Sequence, residues 1–85
     1  MFYVYVFYDK TRKVFYVGFT NDLKRRVNEH NSGKIHTTYR MADKLLVYYE
    51  VCLSKKDAEE REKQLKTGFG RGYLRRRLKN YLEGN

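Results

Sequence analysis

Two stretches, residues 2–8 (FYVYVFY) and residues 13–19 (KVFYVGF), decide the fold of this chain. Both are rich in aromatic and β-branched residues, which favour β-strands. The first contains no charged residue, so we expect a strand that is covered on both faces. Four polar residues, 9–12 (DKTR), separate the two stretches, and this spacing predicts a β-hairpin.

The register of the hairpin determines where its tyrosines lie. If Tyr8 pairs with Lys13, antiparallel pairing places Tyr5 directly opposite Tyr16, with both side chains on one face. A slip of one residue would move one tyrosine to the other face. Gly18 weakens the second strand, and a glycine inside a strand often marks the close approach of another group.

A helix is expected to follow the hairpin and to lead, through a loop, to a third strand. Thr20 or Asn21 would cap the helix, Asp22 would lie in its first turn, and Gly33 would end it. Residues 33–43 have no clear period and predict a loop. Residues 44–52 (KLLVYYEVC) predict the third strand.

The remaining chain predicts two more helices. The sequence from Ser54 to Asp57 is close to a capping box, so a second helix should run from there to about Thr67. A third helix is predicted by the helical spacing of four apolar residues: Leu74, Leu78, Tyr81 and Leu82. The glycines between the two, Gly68, Gly70 and Gly72, are interpreted as turn and cap residues. The order ββαβαα predicts an α+β fold with a small sheet covered by helices.

Length and charge restrict the class of protein. A chain of 85 residues can form one compact core, so we expect a single domain over residues 1–85. Nineteen Lys and Arg against ten Asp and Glu give a net charge of +9, which favours a polyanionic partner, most often nucleic acid. The sequence predicts no transmembrane helix and no signal peptide. Cys52 is the sole cysteine, and its spacing from His30 and His36 fits no standard zinc site.

Glu62 contradicts its local pattern. It lies four residues after Ala58 and three before Leu65, on the apolar stripe of the predicted second helix. A carboxylate there is costly to bury unless it is paired or binds a cation. The sequence leaves two roles open for Glu62, as the ligand of a cation or as the partner of a nearby basic residue in a salt bridge.

Arg26 and His30 share one face of the predicted first helix, beside the stripe formed by Leu23 and Val27. This position puts both at the edge of the core. The simpler explanations are an ion pair of Arg26 with Asp22 and a histidine that only packs at the core edge.

Residues 63–79, near the C-terminal end of the chain, contain seven basic residues and no acidic residue. Such a segment favours salt-dependent binding to phosphates over recognition of a sequence, although a solvated helix face is the simpler alternative. Its predicted nucleic-acid-binding residues are Lys63, Lys66, Arg71, Arg75, Arg76 and Lys79.

Four motifs in this order resemble the GIY-YIG endonuclease family, most closely its small single-domain bacterial members related to the N-terminal domain of the excision-repair nuclease. The first two motifs are residues 3–5 (YVY) and 16–18 (YVG). Residues 20–33 are similar to the arginine helix of the family, and residues 60–65 (EREKQL) to its glutamate helix. The family fold is a three-stranded antiparallel sheet flanked by helices. A polar asparagine found near the C-terminal end of the site in many members has no assigned counterpart here.

The resemblance implies roles for the residues singled out above. Glu62 would be the single protein ligand of one Mg²⁺ or Mn²⁺ ion. Tyr5 would act as general base or orient water, and Tyr16 would hold the phosphate or assist the base. Arg26 would stabilise negative charge, and His30 would support the nucleophile or the phosphate. Gly18 would permit close approach of the backbone.

The resulting hypothesis is a metal-dependent endonuclease, associated with DNA repair, that cleaves DNA with low sequence specificity. RNA is not excluded as a substrate, and a homodimer or a protein partner could supply specificity. A cytoplasmic, nucleoid-associated location is expected. The alternative is a non-catalytic nucleic-acid-binding module that retains the fold.

Overall fold

The computed structural model describes residues 1–32 and 44–84 as an α+β fold. The strands are β1 (Phe2–Asp9), β2 (Val14–Thr20) and β3 (Lys44–Cys52). The helices are α1 (Leu23–Asn31), α2 (Lys55–Leu65), α3 (Gly68–Arg77) and α4 (Lys79–Leu82). The loop predicted at 33–43, with Gly33 and His36, lies outside the described residues.

The three strands form one antiparallel sheet in the order β2-β1-β3, which confirms the predicted fold class. The central strand β1 is buried over most of its length, as its uninterrupted apolar sequence predicted. Val4 and Val6 face a core formed with Ala58, Leu65 and Leu74 of the later helices. The opposite face of β1 is covered by α1.

The hairpin register differs from the predicted one by two residues. Tyr5 pairs with Gly18, not with Tyr16, and Tyr8 pairs with Phe15. The reason is the turn. The Asp9 carboxylate accepts hydrogen bonds from two backbone N–H groups of the turn at 2.9 and 3.0 Å, and Lys13 adopts a left-handed conformation with φ 58°. The turn therefore occupies residues 10–13. Because the shift is by two residues, Tyr5 and Tyr16 still lie on the same face.

The first helix begins one or two residues later than predicted. Asp22, and neither Thr20 nor Asn21, is its N-cap, and the Asp22 carboxylate accepts the backbone N–H of Arg25 at 3.1 Å. The Thr20 hydroxyl instead accepts the N–H of Asp22 at 3.1 Å, so it supports the capping residue.

The end of the chain contains two helices where one was predicted, giving the order ββαβααα. The glycines at 68, 70 and 72 are also not turn residues, because they lie inside α3 behind the N-cap Thr67. Gly70 allows this arrangement. A Cβ atom at Gly70 would overlap the backbone of Gln64 and Leu65, so only glycine lets α3 begin so close to the end of α2.

A polar cluster attaches α2 to β3. The Arg61 guanidinium donates two hydrogen bonds to the Glu50 carboxylate, both at 2.9 Å, and the Tyr48 hydroxyl donates a third at 2.7 Å. Arg61 also lies over the ring of Tyr73 at 4.8 Å. Burial works to raise the pKa of Glu50, but the hydrogen bonds from Arg61 and Tyr48 outweigh it and hold that pKa below its usual value.

Candidate active site

The phenol of Tyr5 is the centre of the candidate site. It is 3% exposed, and its ring lies across Gly18 on the neighbouring strand. A Cβ atom at Gly18 would overlap the Tyr5 hydroxyl and Cζ. The sequence indicated that another group approaches Gly18 closely, and this group is the side chain of Tyr5.

His30 reaches the same place from α1. It is 0% exposed, deeper than the core edge at which the sequence placed it. Its Nε2 lies 3.3 Å from the Tyr5 hydroxyl. Its ring packs against Phe7 at 4.5 Å and against Tyr16 at 5.6 Å between centroids. The sheet therefore brings Tyr5 and Tyr16 to one histidine without pairing them directly.

Burial, together with the nearby positive charges of Arg26 and Lys44, lowers the pKa of His30 to about 4. The imidazole is therefore neutral at pH 7. A neutral imidazole has a ring nitrogen that can accept a hydrogen bond, which an imidazolium lacks.

Arg26 lies at the rim of the same site. It is paired with Glu29, at 3.5 Å between Nη1 and Oε1, and not with Asp22 as one explanation from the sequence held. Asp22 is already used as the helix cap. The Arg26 Nε is buried and has no hydrogen-bond partner among residues 1–32 and 44–84. An anion at the rim would satisfy this N–H group. Glu29 was missed by the sequence reasoning, although its spacing of three from Arg26 was a usable signal.

The pKa of Tyr5 shows which charges surround its hydroxyl. Burial raises that pKa to about 12, a value to which Arg26 contributes by lowering it and Tyr16 and Glu62 by raising it. These four residues therefore lie within electrostatic reach of one another. The phenol is protonated at neutral pH.

Glu62 is paired with a cation, as the salt-bridge alternative held. Its Oε2 lies 3.0 Å from the Nζ of Lys66, one turn further along α2. The Glu62 side chain is only 19% exposed. Among the described ranges, 1–32 and 44–84, no group of three or more His, Cys, Asp or Glu side chains could hold a metal ion. A metal at Glu62 would therefore have few ligands from the described part of the protein.

The predicted nucleic-acid-binding residues are all exposed, on the last three helices or, for Lys66, at the C-cap of α2. They are Lys63, Lys66, Arg71, Arg75, Arg76 and Lys79. Two of them, Lys66 and Arg71, line a groove with Phe15, Tyr16 and Val17 of β2. Tyr16 thus belongs both to the candidate site and to this groove. No helix in the described part of the chain is long and apolar enough to cross a membrane.

Fold and site together define a small α+β domain with a tyrosine, histidine and arginine site on one face of its sheet. The chain belongs to the GIY-YIG family, because the model of the GIY-YIG catalytic domain matches residues 1–73. The chain is also 45% identical over 62 residues to UPF0213 protein SpyM50708 of Streptococcus pyogenes serotype M5 (strain Manfredo). The same identity holds for UPF0213 protein SPs0786 of Streptococcus pyogenes serotype M3 (strain SSI-1). These matches cover 71% of this chain and 65% of each relative. No solved structure matches the chain.

Proposed function

We propose that this protein is a divalent-metal-dependent endonuclease that hydrolyses phosphodiester bonds in DNA with low sequence specificity. The observation that carries the proposal is the convergence on the Tyr5 hydroxyl of His30, at 3.3 Å, and of the charges of Arg26 and Glu62. Membership of the GIY-YIG family supports a nuclease, and the net charge of +9 supports a nucleic-acid substrate.

The Glu62 carboxylate fits a divalent cation. It already holds one cation, the Lys66 ammonium, at 3.0 Å, and carboxylate oxygen is a preferred donor for Mg²⁺ and Mn²⁺. A single carboxylate leaves most coordination positions to phosphate and water. When bound, such an ion would supply Lewis-acid stabilisation of the charge that develops on the phosphate.

Tyr5 would take the proton of the attacking water. A phenol with a pKa of about 12 is a weak acid, so Tyr5 acts as a base only where nearby positive charge favours its phenolate. Arg26 lowers the pKa of Tyr5, whereas Glu62 raises it and would do so less with a cation bound. With the phenol proton released to solvent, the phenolate would take a proton from water, while His30 Nε2, 3.3 Å from the Tyr5 oxygen, would orient the side chain.

Arg26 and Tyr16 would hold the phosphate. Guanidinium matches the geometry of phosphate oxygens, and the buried Arg26 Nε lacks a partner among the described residues. Tyr16 lies on the same face and can donate its hydroxyl proton to a phosphate oxygen. Arg26 would thus stabilise the added negative charge of the transition state.

Cleavage of labelled duplex, branched and single-stranded DNA in Mg²⁺ or Mn²⁺ tests this proposal, with a single-stranded RNA beside them. We expect Glu62→Gln and Arg26→Ala to lose about 100-fold or more in rate. The matched controls are Glu60→Gln and Arg25→Ala, exposed residues of the same helices, which should cleave like the wild type.

Each other outcome is informative. Salt-dependent binding without cleavage of any substrate would favour the non-catalytic module. Cleavage that survives Glu62→Gln would show a different active site and overturn the residue assignments. Cleavage only in the presence of an added partner, or only by a dimer, would show that another chain supplies specificity.

A further inference from the structure

The ion pair of Glu62 with Lys66 is built so that it can open. Lys66 is 54% exposed and is the C-cap residue of α2. The Glu62 side chain is only 19% exposed, so its carboxylate needs a cation, and the Lys66 ammonium leaves at small cost only when another cation replaces it. The backbone of Lys66 is fixed at the junction of α2 and α3, and only its side chain needs to move.

A second destination for the Lys66 ammonium exists nearby. Lys66 and Arg71 form the basic rim of a groove whose other wall includes Phe15 and Tyr16, and we call it the Lys66 groove. The Arg71 Nη1 donates a hydrogen bond to the carbonyl oxygen of Lys66 at 3.4 Å, so the guanidinium stays beside the lysine. Two cations side by side on one rim match a phosphate, and Tyr16 connects this rim to the candidate site.

We propose that Lys66 couples divalent-cation binding at Glu62 to binding of a nucleic-acid strand in the Lys66 groove. The inference rests on the proposed function, because it needs a cation at Glu62. A divalent cation at Glu62 repels the Lys66 ammonium and takes its place. The released ammonium, with Arg71, then binds a phosphate beside the one held at the candidate site.

This exchange makes the two binding events cooperative. Without the cation, Glu62 and Lys66 neutralise each other. With the cation, the Lys66 ammonium is free to face the groove and the charge of Glu62 is offset by the bound ion. By linkage, a cation that strengthens nucleic-acid binding must itself bind more tightly in the presence of nucleic acid.

Fluorescence anisotropy of a phosphorothioate duplex, which remains intact during the measurement, tests the coupling at constant ionic strength. We expect Lys66→Met to weaken DNA binding about fivefold or more in Mg²⁺ and less than about twofold in EDTA. The matched control is Lys63→Met, an exposed lysine of the same helix next to Glu62. Its effect on affinity should be the same in Mg²⁺ and EDTA. Equal behaviour of the two variants in both solutions would overturn the inference.

Binding of Mn²⁺ alone, followed by electron paramagnetic resonance, separates this inference from the proposed function. We expect Glu62→Gln to abolish Mn²⁺ binding and Lys66→Met to tighten it, because the competing ammonium is gone. If Glu62→Gln leaves Mn²⁺ binding intact, the proposed metal site fails and the coupling fails with it. If Mn²⁺ binding needs Glu62 but Lys66→Met leaves it unchanged, only the coupling is wrong.

Discussion

The ring of Tyr5 occupies the space that a side chain at Gly18 would need, on the directly paired position of the next strand. This contact with Gly18 restrains the phenol ring on the sheet, and His30 of α1 contacts the same ring. One strand pair and one helix therefore set the orientation of the central hydroxyl of the site.

Replacement of Gly18 by alanine should displace this ring. We expect Gly18→Ala to destabilise the protein by about 1–3 kcal/mol and to impair cleavage, because the new methyl group overlaps the phenol. Urea unfolding and the cleavage assay measure the two effects. The control is Gly72→Ala in α3, where a Cβ would meet only the end of Arg76 at 3.4 Å. That change should be neutral or stabilising by up to about 1 kcal/mol. Equal stability of the two variants would show that the Tyr5 ring is free to move.

Removal of the Tyr5 hydroxyl should affect chemistry far more than folding. Tyr5→Phe keeps the ring over Gly18 and loses one neutral hydrogen bond, so we expect a stability loss of about 1 kcal/mol. Cleavage should fall by about 100- to 10,000-fold, the usual contribution of a general base. Tyr3→Phe, two residues earlier on β1, should cleave like the wild type. A Tyr5→Phe variant with normal cleavage would exclude Tyr5 as the base.

Acid should destabilise the protein through His30. In the unfolded chain, His30 has its ordinary pKa of 6.5. In the folded protein, burial lowers this pKa to about 4, so His30 takes up a proton only at lower pH. The stabilising effect of a neutral His30 is complete above pH 6.5 and is lost as the pH falls towards 4, by about 3 kcal/mol in total. Urea unfolding at pH 7, 6 and 5 measures it. The stability of a His30→Gln variant should depend less on pH in this range. Parallel curves of stability against pH for the variant and the wild type would mean that His30 is protonated in the folded protein as readily as in the unfolded chain.

The attachment of α2 to β3 should depend on the charge of Glu50. Glu50→Gln keeps the shape of the side chain but loses the charged partner of Arg61. We expect a loss of about 1–3 kcal/mol in the free energy of unfolding, measured in urea. Glu60→Gln, an exposed carboxylate of α2, should change stability by less than about 0.5 kcal/mol. Similar values for the two variants would show that apolar packing alone holds α2 in place.

The sequence predicted the strands and the fold class because β1 and β2 carry strong local patterns. The register was wrong because it depends on Asp9, whose carboxylate organises the turn, and on the left-handed Lys13; neither leaves a periodic signal. The start of α3 at Gly68 was missed because glycine normally ends helices, whereas Gly70 here permits a close contact with α2. The division into α3 and α4 was missed because Leu78, where the helix breaks, fits the apolar spacing of one continuous helix.

The candidate site could be predicted only as a set of residues. Residue types and motif spacing singled out Tyr5, Tyr16, Arg26, His30 and Glu62, and the structure shows how they are arranged. Spacing cannot reveal that His30 is buried against Phe7, since this follows from how α1 crosses the sheet. Nor can it decide between Asp22 and Glu29 as the partner of Arg26, because both lie within one helical turn.

The position of β1 between two later strands has a consequence for synthesis on the ribosome. β2 follows β1 after a short turn, so the hairpin can form early, but β3 is complete only once Cys52 has been translated. Until then, one edge of a strongly apolar strand remains without its partner. Such an edge can pair with other chains. Slow elongation across residues 20–52 should therefore favour aggregation of the nascent chain, and fast elongation should protect it.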